Sequence, residues 1–512
     1  MSAALHELRA VSSIRRGVLP SHSPRRPLRL AIQPGTICVL GFVAVMSIPP
    51  VVGMAGLMPL LFPALALATA AVLLALTPGG YLAFVWWIWL LSPFVRRLVD
   101  WQLGWAPIST IMLTPYLVTA LCAITLVRRI GDLATPHLIA LCLAVAGVAY
   151  AFVIGLGSVG VAAASFGFLT WIVPILFGFH LAASWRSYDL WRDTTRSTFA
   201  YGLIVIAAYG VLQFALLPPW DAYWMAHAGM SSIGQPLPFR VRVFSTLNAP
   251  GVFASFVMAG LLVGFGGRGK AGLLAAQPLV WLAFLLGQVR SAWLGYGLGL
   301  CLIMIRLPLA RGARIALLGL GLVVAVLPML QLDAVEEVVM TRLASFSAGQ
   351  SDHSLQERMQ LYARFFNVAV DNVPGGGIGS TNLATKLSNN GGLGALGTID
   401  SGILELLYTF GWPGTLLFAS GLGLALTTAM RTWSRPTDPF SLAALAVAVS
   451  LLAQMLFFNT LIGAVGLIFW TMLGLVLASQ RIPARRAGER AHCHFRSVRP
   501  AAASAARVKA SP

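Results

Sequence analysis

Charged side chains are scarce in this chain: Asp, Glu, Lys and Arg make up 10% of its 512 residues, and only 16 residues are acidic. Soluble globular domains carry about 25% charged residues. Here 58% of the residues are hydrophobic and the mean hydropathy is +0.82. That balance excludes a soluble enzyme, a disulfide-framed secreted domain and an ordinary nucleic-acid binder. The apolar content suffices for roughly fourteen spans of about 20 residues each. Lysine is rarer still: Lys270, Lys386 and Lys509 are the only three, so 32 of the 35 basic residues are arginine.

Other absences narrow the chemistry. Five cysteines define no framework; Cys38, Cys122, Cys142 and Cys301 lie inside apolar runs, where a thiol behaves as a small hydrophobe. His492-Cys493-His494 is too small a cluster to define a metal site. No Gly-x-x-x-x-Gly-Lys-Ser/Thr occurs, which speaks against ATP-driven transport by this chain. No Asp-x-Asp occurs, which removes the usual divalent-metal clamp for nucleotide-sugars, and no cofactor is called for. The stretch from Pro50 to Gly56 holds no acid, against lipid-dependent glycosyltransferases that keep catalytic carboxylates in the first outer loop. Arg15-Arg16 is not followed by a short apolar stretch and cleavage site, so an export signal is a poor reading.

What is present is an ordered series of apolar runs, from 32–50 to 461–479, that reads as an all-α polytopic membrane protein of about 12–14 transmembrane helices with one large outer loop. Residues 1–30 and 481–512 carry net charges of +5 and +7, lack hydrophobic periodicity, and read as disordered basic tails. Between them we expect transmembrane helices over 31–331, an outer loop over 332–400 and transmembrane helices over 401–480. With the N-terminus inside, five basic turns fall on the cytoplasmic side: Arg128-Arg129, Arg186 to Arg196, Arg268 with Lys270, Arg306 to Arg314, and Arg431 with Arg435. Both termini are then cytoplasmic, and the tails face an anionic leaflet rather than nucleic acid. Arg96-Arg97 falls on the other side, with Asp100 close enough to offset it.

Two outer segments are long, 218–248 and 332–399. In the second, apolar residues at 355, 359, 362 and 366 predict an amphipathic helix, followed by the glycine-rich turn Pro374 to Ser380, which reads as a hinge or a backbone contact with ligand. Ionisable groups near membrane depth point to function by default. Arg290 lies between two apolar runs, and Arg240 and Arg242 share a face of the segment before the run at 249–266. Each could snorkel to headgroups, but the planar guanidinium fork also suits a phosphate or diphosphate. Asp400 at the water–membrane junction reads either as a helix cap with Ser401 or as a general base. Glu405, five residues on, is expected to point elsewhere, and His353 reads as a solvated loop residue.

Three stretches, taken in order, resemble the O-antigen ligase and Wzy-type polymerase superfamily, with its GT-C-like membrane fold. They are Arg242 to Ala254, Gln288 to Leu294, and the segment from Glu357 through Pro374 to Gly379 and on from Asp400 to Gly414. The resemblance covers roughly residues 200–430. It implies glycan transfer, without metal, from a polyprenyl-diphosphate-linked oligosaccharide to a growing glycan acceptor at the outer face of a bacterial inner membrane. It makes Arg290 and Arg242 diphosphate ligands, adds Arg364 (or Arg358) on the loop helix, and makes Asp400 the base. An Asp, where the ligases carry His, is more like the exopolysaccharide polymerases. Other polysaccharide-assembly proteins are the expected partners, besides membrane lipids. A secondary transporter or flippase of lipid-linked sugars is the competing reading, and a scaffold in an export complex a third.

Overall fold

A computed structural model describes residues 34–265, 276–306, 365–394, 399, 401–434 and 438–482. Asp400, Arg364, Arg358, His353, both basic tails except Arg481 and Ile482, the apolar run at 315–331 and most of the amphipathic segment at 355–366 lie outside them.

The described residues form an all-α polytopic membrane protein. The helices are α1 (Pro34–Val51), α2 (Met58–Leu76), α3 (Pro78–Leu103), α4 (Thr114–Ala120), α5 (Cys122–Arg128), α6 (Thr135–Ser158), α7 (Val161–Ala183), α8 (Tyr188–Leu216) and α9 (Pro219–His227). They continue as α10 (Pro250–Gly264), α11 (Gln277–Leu286), α12 (Arg290–Arg306), α13 (Gly402–Ala429), α14 (Pro439–Ala453) and α15 (Gly463–Ser479). Eight helical segments are long and apolar enough to cross a membrane, and shorter apolar helices pack beside them. Proline opens many of them, as at Pro78, Pro219, Pro250 and Pro439. At that position its missing N–H has no helical partner to lose.

Two helices run beyond their apolar stretches. The run at 80–95 becomes a helix to Leu103, which carries Arg96, Arg97 and Asp100 on its last turns. The run at 199–218 begins at Tyr188, so Arg192, Asp193 and Arg196 are helical. Hydropathy fades there while helical hydrogen bonding does not, because ion pairs replace apolar burial.

Without a hydrophobic force between helices in lipid, close approach depends on small residues. Ala140, Ala144, Gly147, Ala151 and Gly155 form a buried stripe on α6. A Cβ at Gly147 would lie 2.8 Å from the Gly414 carbonyl oxygen, and one at Gly421 would lie 2.6 Å from that of Ala140, so α6 and α13 pack backbone to backbone and antiparallel. In the same way a Cβ at Gly474 of α15 would lie 2.1 Å from the carbonyl oxygen of Gly178 in α7. Trp171, Phe410, Phe418 and Trp470 fill the space between these pairs.

The segment 373–394 closes one end of the bundle, here called the loop end. Arginines cluster at the opposite end. There Arg186 pairs with Asp132 (2.7 Å), Arg192 with Asp189 (2.8 Å) and Asp438 (3.4 Å), Arg306 donates to the Trp433 carbonyl, and Arg481 lies over Trp185.

Candidate functional site

The loop end is built around a break in α13. Gly411 has φ 58° and ψ −174°, outside helical space, and Pro413 follows with no N–H. The break frees the carbonyls of Tyr408 and Thr409. Gly376 donates its N–H to the first (2.7 Å) and Gly377 to the second (3.0 Å), while Trp412 donates to the Val373 carbonyl (3.0 Å). The loop thus takes over hydrogen bonds that the helix cannot make, as membrane-depth backbone requires. Gly377 (φ 79°) is also pressed on α6: a Cβ there would lie 2.3 Å from the Gly155 nitrogen. These glycines are a packed docking element. Of the two expectations, a hinge or a backbone contact with ligand, the packing of the chain between α6, α7 and α13 speaks against the first.

Glu405, one turn into α13, is buried and faces this loop, contrary to the expectation that it points away. Its carboxylate accepts from Asn382 Nδ2 (2.5 Å) and Thr381 Oγ1 (3.4 Å). The cap of α13 is made by Ser401, whose Oγ accepts from the Leu404 N–H (3.3 Å). Beside this region an open cavity of about 520 Å³ is lined by Ser158, Ser380, Thr385, Ser388, Asn389 and Tyr408, among others.

A second group forms on the segment before α10. Arg97 and Asp221 make an ion pair (3.1 Å) with both side chains fully buried. Arg97 Nη2 donates to the Ser245 carbonyl (2.6 Å). Asp221 Oδ2 accepts from Tyr209 (2.8 Å) and Gln213 (2.8 Å). Gln213 Oε1 in turn accepts from the backbone N–H groups of Phe244 (3.1 Å) and Ser245 (2.9 Å). A charge taken out of water needs this density of partners. The network clamps the backbone just after Arg242. Arg242 itself is half-buried; it donates to the Ser232 carbonyl (2.8 Å) and the Gln288 carbonyl (3.1 Å). Gln288 lies two residues before the half-buried Arg290, which opens α12. Two stretches read separately in the sequence are therefore joined, and a guanidinium fork is the link. Arg240 is exposed and donates to Gln235 Oε1 (3.3 Å).

A third group surrounds Trp105. Arg96 pairs with Asp100 (3.1 Å) and lies 5.2 Å from the indole centroid, Lys386 Nζ lies 5.9 Å from it, and His227 stacks on it at 5.9 Å. Desolvation, and then the nearby Arg96 charge, hold the Lys386 ammonium below the usual lysine range. Among the described residues no three His, Cys, Asp or Glu side chains gather as metal ligands.

Sequence reading missed Arg97–Asp221, Gln213, Glu405 and Tyr408. One signal was available: Asp221 is the only acid in 218–248, and Arg97 the arginine on the unexpected side. Nothing in the sequence pairs Glu405 with Asn382, because the contact depends on the break at Gly411.

Fold and site together define a multi-pass helical membrane protein in which the segment 373–394 docks on a broken helix. Residues 275–419 match the family described as O-Antigen ligase. The match bears out the resemblance to the O-antigen ligase and Wzy-type superfamily, and supports a glycan-transferring activity of polymerase or ligase type. Arg290 and Asp400 fall within the matched residues; Arg242 precedes them. No curated protein matches the chain.

Proposed function

We propose that this chain polymerises, or ligates, polyprenyl-diphosphate-linked oligosaccharide repeat units at the periplasmic face of a bacterial inner membrane, in exopolysaccharide or O-antigen synthesis. In this reading both termini are cytoplasmic and the loop end is periplasmic. An acceptor sugar hydroxyl attacks the anomeric carbon of the donor, and its proton passes to Asp400. The bond from that carbon to the diphosphate oxygen breaks with inversion, and the lipid diphosphate leaves with the electron pair. Arg290 and Arg242, with Arg364, meet the charge that develops on the leaving group. No metal is asked for, since the arginines carry that role.

The observation that carries the reading is the meeting of Arg242 with the turn before Arg290, through its 3.1 Å bond to Gln288, where Gln288 and Arg290 fall within the residues that match the O-antigen ligase family. Removing one donor to a developing anion costs about 10²–10³ in rate. Arg290→Ala and Asp400→Asn should therefore each abolish long-chain polysaccharide without lowering membrane abundance. Wild-type polymer in both would sink the proposal.

The broken helix is the one feature that favours a flippase or secondary transporter, where interrupted helices are common. Its freed carbonyls at 408 and 409 each accept an N–H from the loop, so the break serves as a docking seam. In a deletion strain, carrier-linked repeat units on the outer face support transfer, and units confined to the inner face support flipping.

A further inference from the structure

The lining of the cavity beside the loop includes neither Arg242 nor Arg290, and its chemistry differs from theirs. Among the described residues its lining holds hydroxyls, an amide and one aromatic ring, and no charged side chain. At about 520 Å³ it falls in the range of small-molecule sites, about 300–1,000 Å³.

The hydrogen-bond capacity of that lining is divided in a particular way. Ser158 donates to the Gly376 carbonyl (2.7 Å), Ser380 to that of Gly377 (2.6 Å), Thr385 to that of Asn382 (2.7 Å) and Ser388 to that of Thr385 (3.1 Å). Those four protons are spent within the fold, and the hydroxyl oxygens keep lone pairs to accept, though one of Thr385's already takes the Gly394 N–H (3.2 Å). The half-buried Tyr408 hydroxyl and the exposed Asn389 amide carry protons not spent in this way. A ligand that both donates and accepts through several hydroxyls, with an apolar face for the ring of Tyr408, fits this set. That description is of a pyranose. Lys386 sits on the same turn as Thr385 and Ser388 but is directed to Trp105, so a carboxylate in the cavity would meet no opposite charge among the described lining residues.

We infer that this cavity is a subsite for an uncharged sugar residue of the glycan, with Tyr408 and Asn389 as its donors and the serine and threonine oxygens as its acceptors. The assignment rests on the transferase reading for the role of that sugar, but its binding does not depend on turnover. Glu405 acts here as a positioning residue, since its bonds to Thr381 and Asn382 fix the segment that carries Ser380 and Thr385.

The test uses the full chain in lipid nanodiscs and saturation-transfer NMR, with maltotriose as the neutral probe and trigalacturonate as the charged one. Maltotriose should receive saturation on its ring protons, and trigalacturonate should bind more weakly. Tyr408→Phe keeps the ring and loses one hydrogen bond, so it should weaken maltotriose by about 2- to 10-fold. Asn389→Trp, at an exposed position, should fill the cavity and abolish the signal. No transfer to maltotriose in the unaltered protein, equal binding in both variants, or trigalacturonate binding as tightly as maltotriose each overturns the assignment. The polymer assay on Arg290→Ala reads the transferase proposal separately. Sugar binding that responds to the two variants, with polymer unaffected by Arg290→Ala, keeps the subsite and discards the transferase.

Discussion

Gly377 donates its backbone N–H to the carbonyl of Thr409 at 3.0 Å, the acceptor that Pro413 would have used had it carried a proton. Helix and loop therefore complete each other, since each holds polar backbone groups that only the other satisfies. This is why the polar segment 373–394 can sit at a fixed place on a bundle of apolar helices.

Gly377→Ala should undock the loop. The residue has φ 79°, and the added methyl would meet the backbone of Gly155 at 2.3 Å, where no flexible side chain can yield. Left-handed strain costs about 1–3 kcal/mol before any steric term. The expected outcome is a lower Tm in detergent and faster proteolytic cleavage within 373–394. An unchanged Tm and digestion pattern would show that the loop does not depend on this contact.

The Arg97–Asp221 pair should behave as a unit. Removing one partner strands a buried charge, at a cost of about 3–5 kcal/mol. Arg97→Met and Asp221→Leu alone should each sharply reduce the amount of folded protein. The double variant should recover part of it, since apolar replacement of both partners removes the stranded charge. Thermal unfolding of the three variants checks this, and additive losses in the double variant would refute the coupling.

Much of the architecture is legible in the chain because lipid makes hydropathy and helix nearly the same signal. The runs at 137–155 and 402–430, for example, return as Thr135–Ser158 and Gly402–Ala429. The arginines were legible for a related reason: a charge among apolar residues stands out. The partners were not. Arg97 finds Asp221 on a different helix, and Glu405 finds Asn382 only because α13 breaks at Gly411 and lets the loop in. Those pairings come from tertiary packing, which leaves no local periodicity. The glycines at 375–379 are ambiguous in the chain for the opposite reason. Glycine permits both motion and close approach, and sequence alone does not say which is used.

Lys386 should give stability a pH dependence of defined sign. Its folded pKa lies below the ordinary lysine value of 10.5, mainly through desolvation and then through Arg96. Between the two values the unfolded chain binds more protons than the folded one, so folding stability rises with pH through that window and levels off above the ordinary value. Lys386→Met should flatten the rise without lowering Tm at neutral pH. An equal slope in the variant would assign the effect to another group.

Arg242 is the sharpest discriminator between a charge requirement and a geometric one. Its two Nη atoms hold the Ser232 and Gln288 carbonyls at 2.8 and 3.1 Å, which ties the segment before α10 to the turn before Arg290. Lysine keeps the charge but presents it as a single point, without the planar fork that spans two acceptors. If Arg242 served only to supply positive potential, Arg242→Lys would retain most polymer formation. If it also fixes where Arg290 stands, Arg242→Lys should lose nearly as much as Arg242→Ala, a drop of about 10²-fold by the scale of a single lost oxyanion donor. Polymer length and yield in the two variants, normalised to membrane abundance, separate the cases. The joint hold on Ser232 and Gln288 predicts the second.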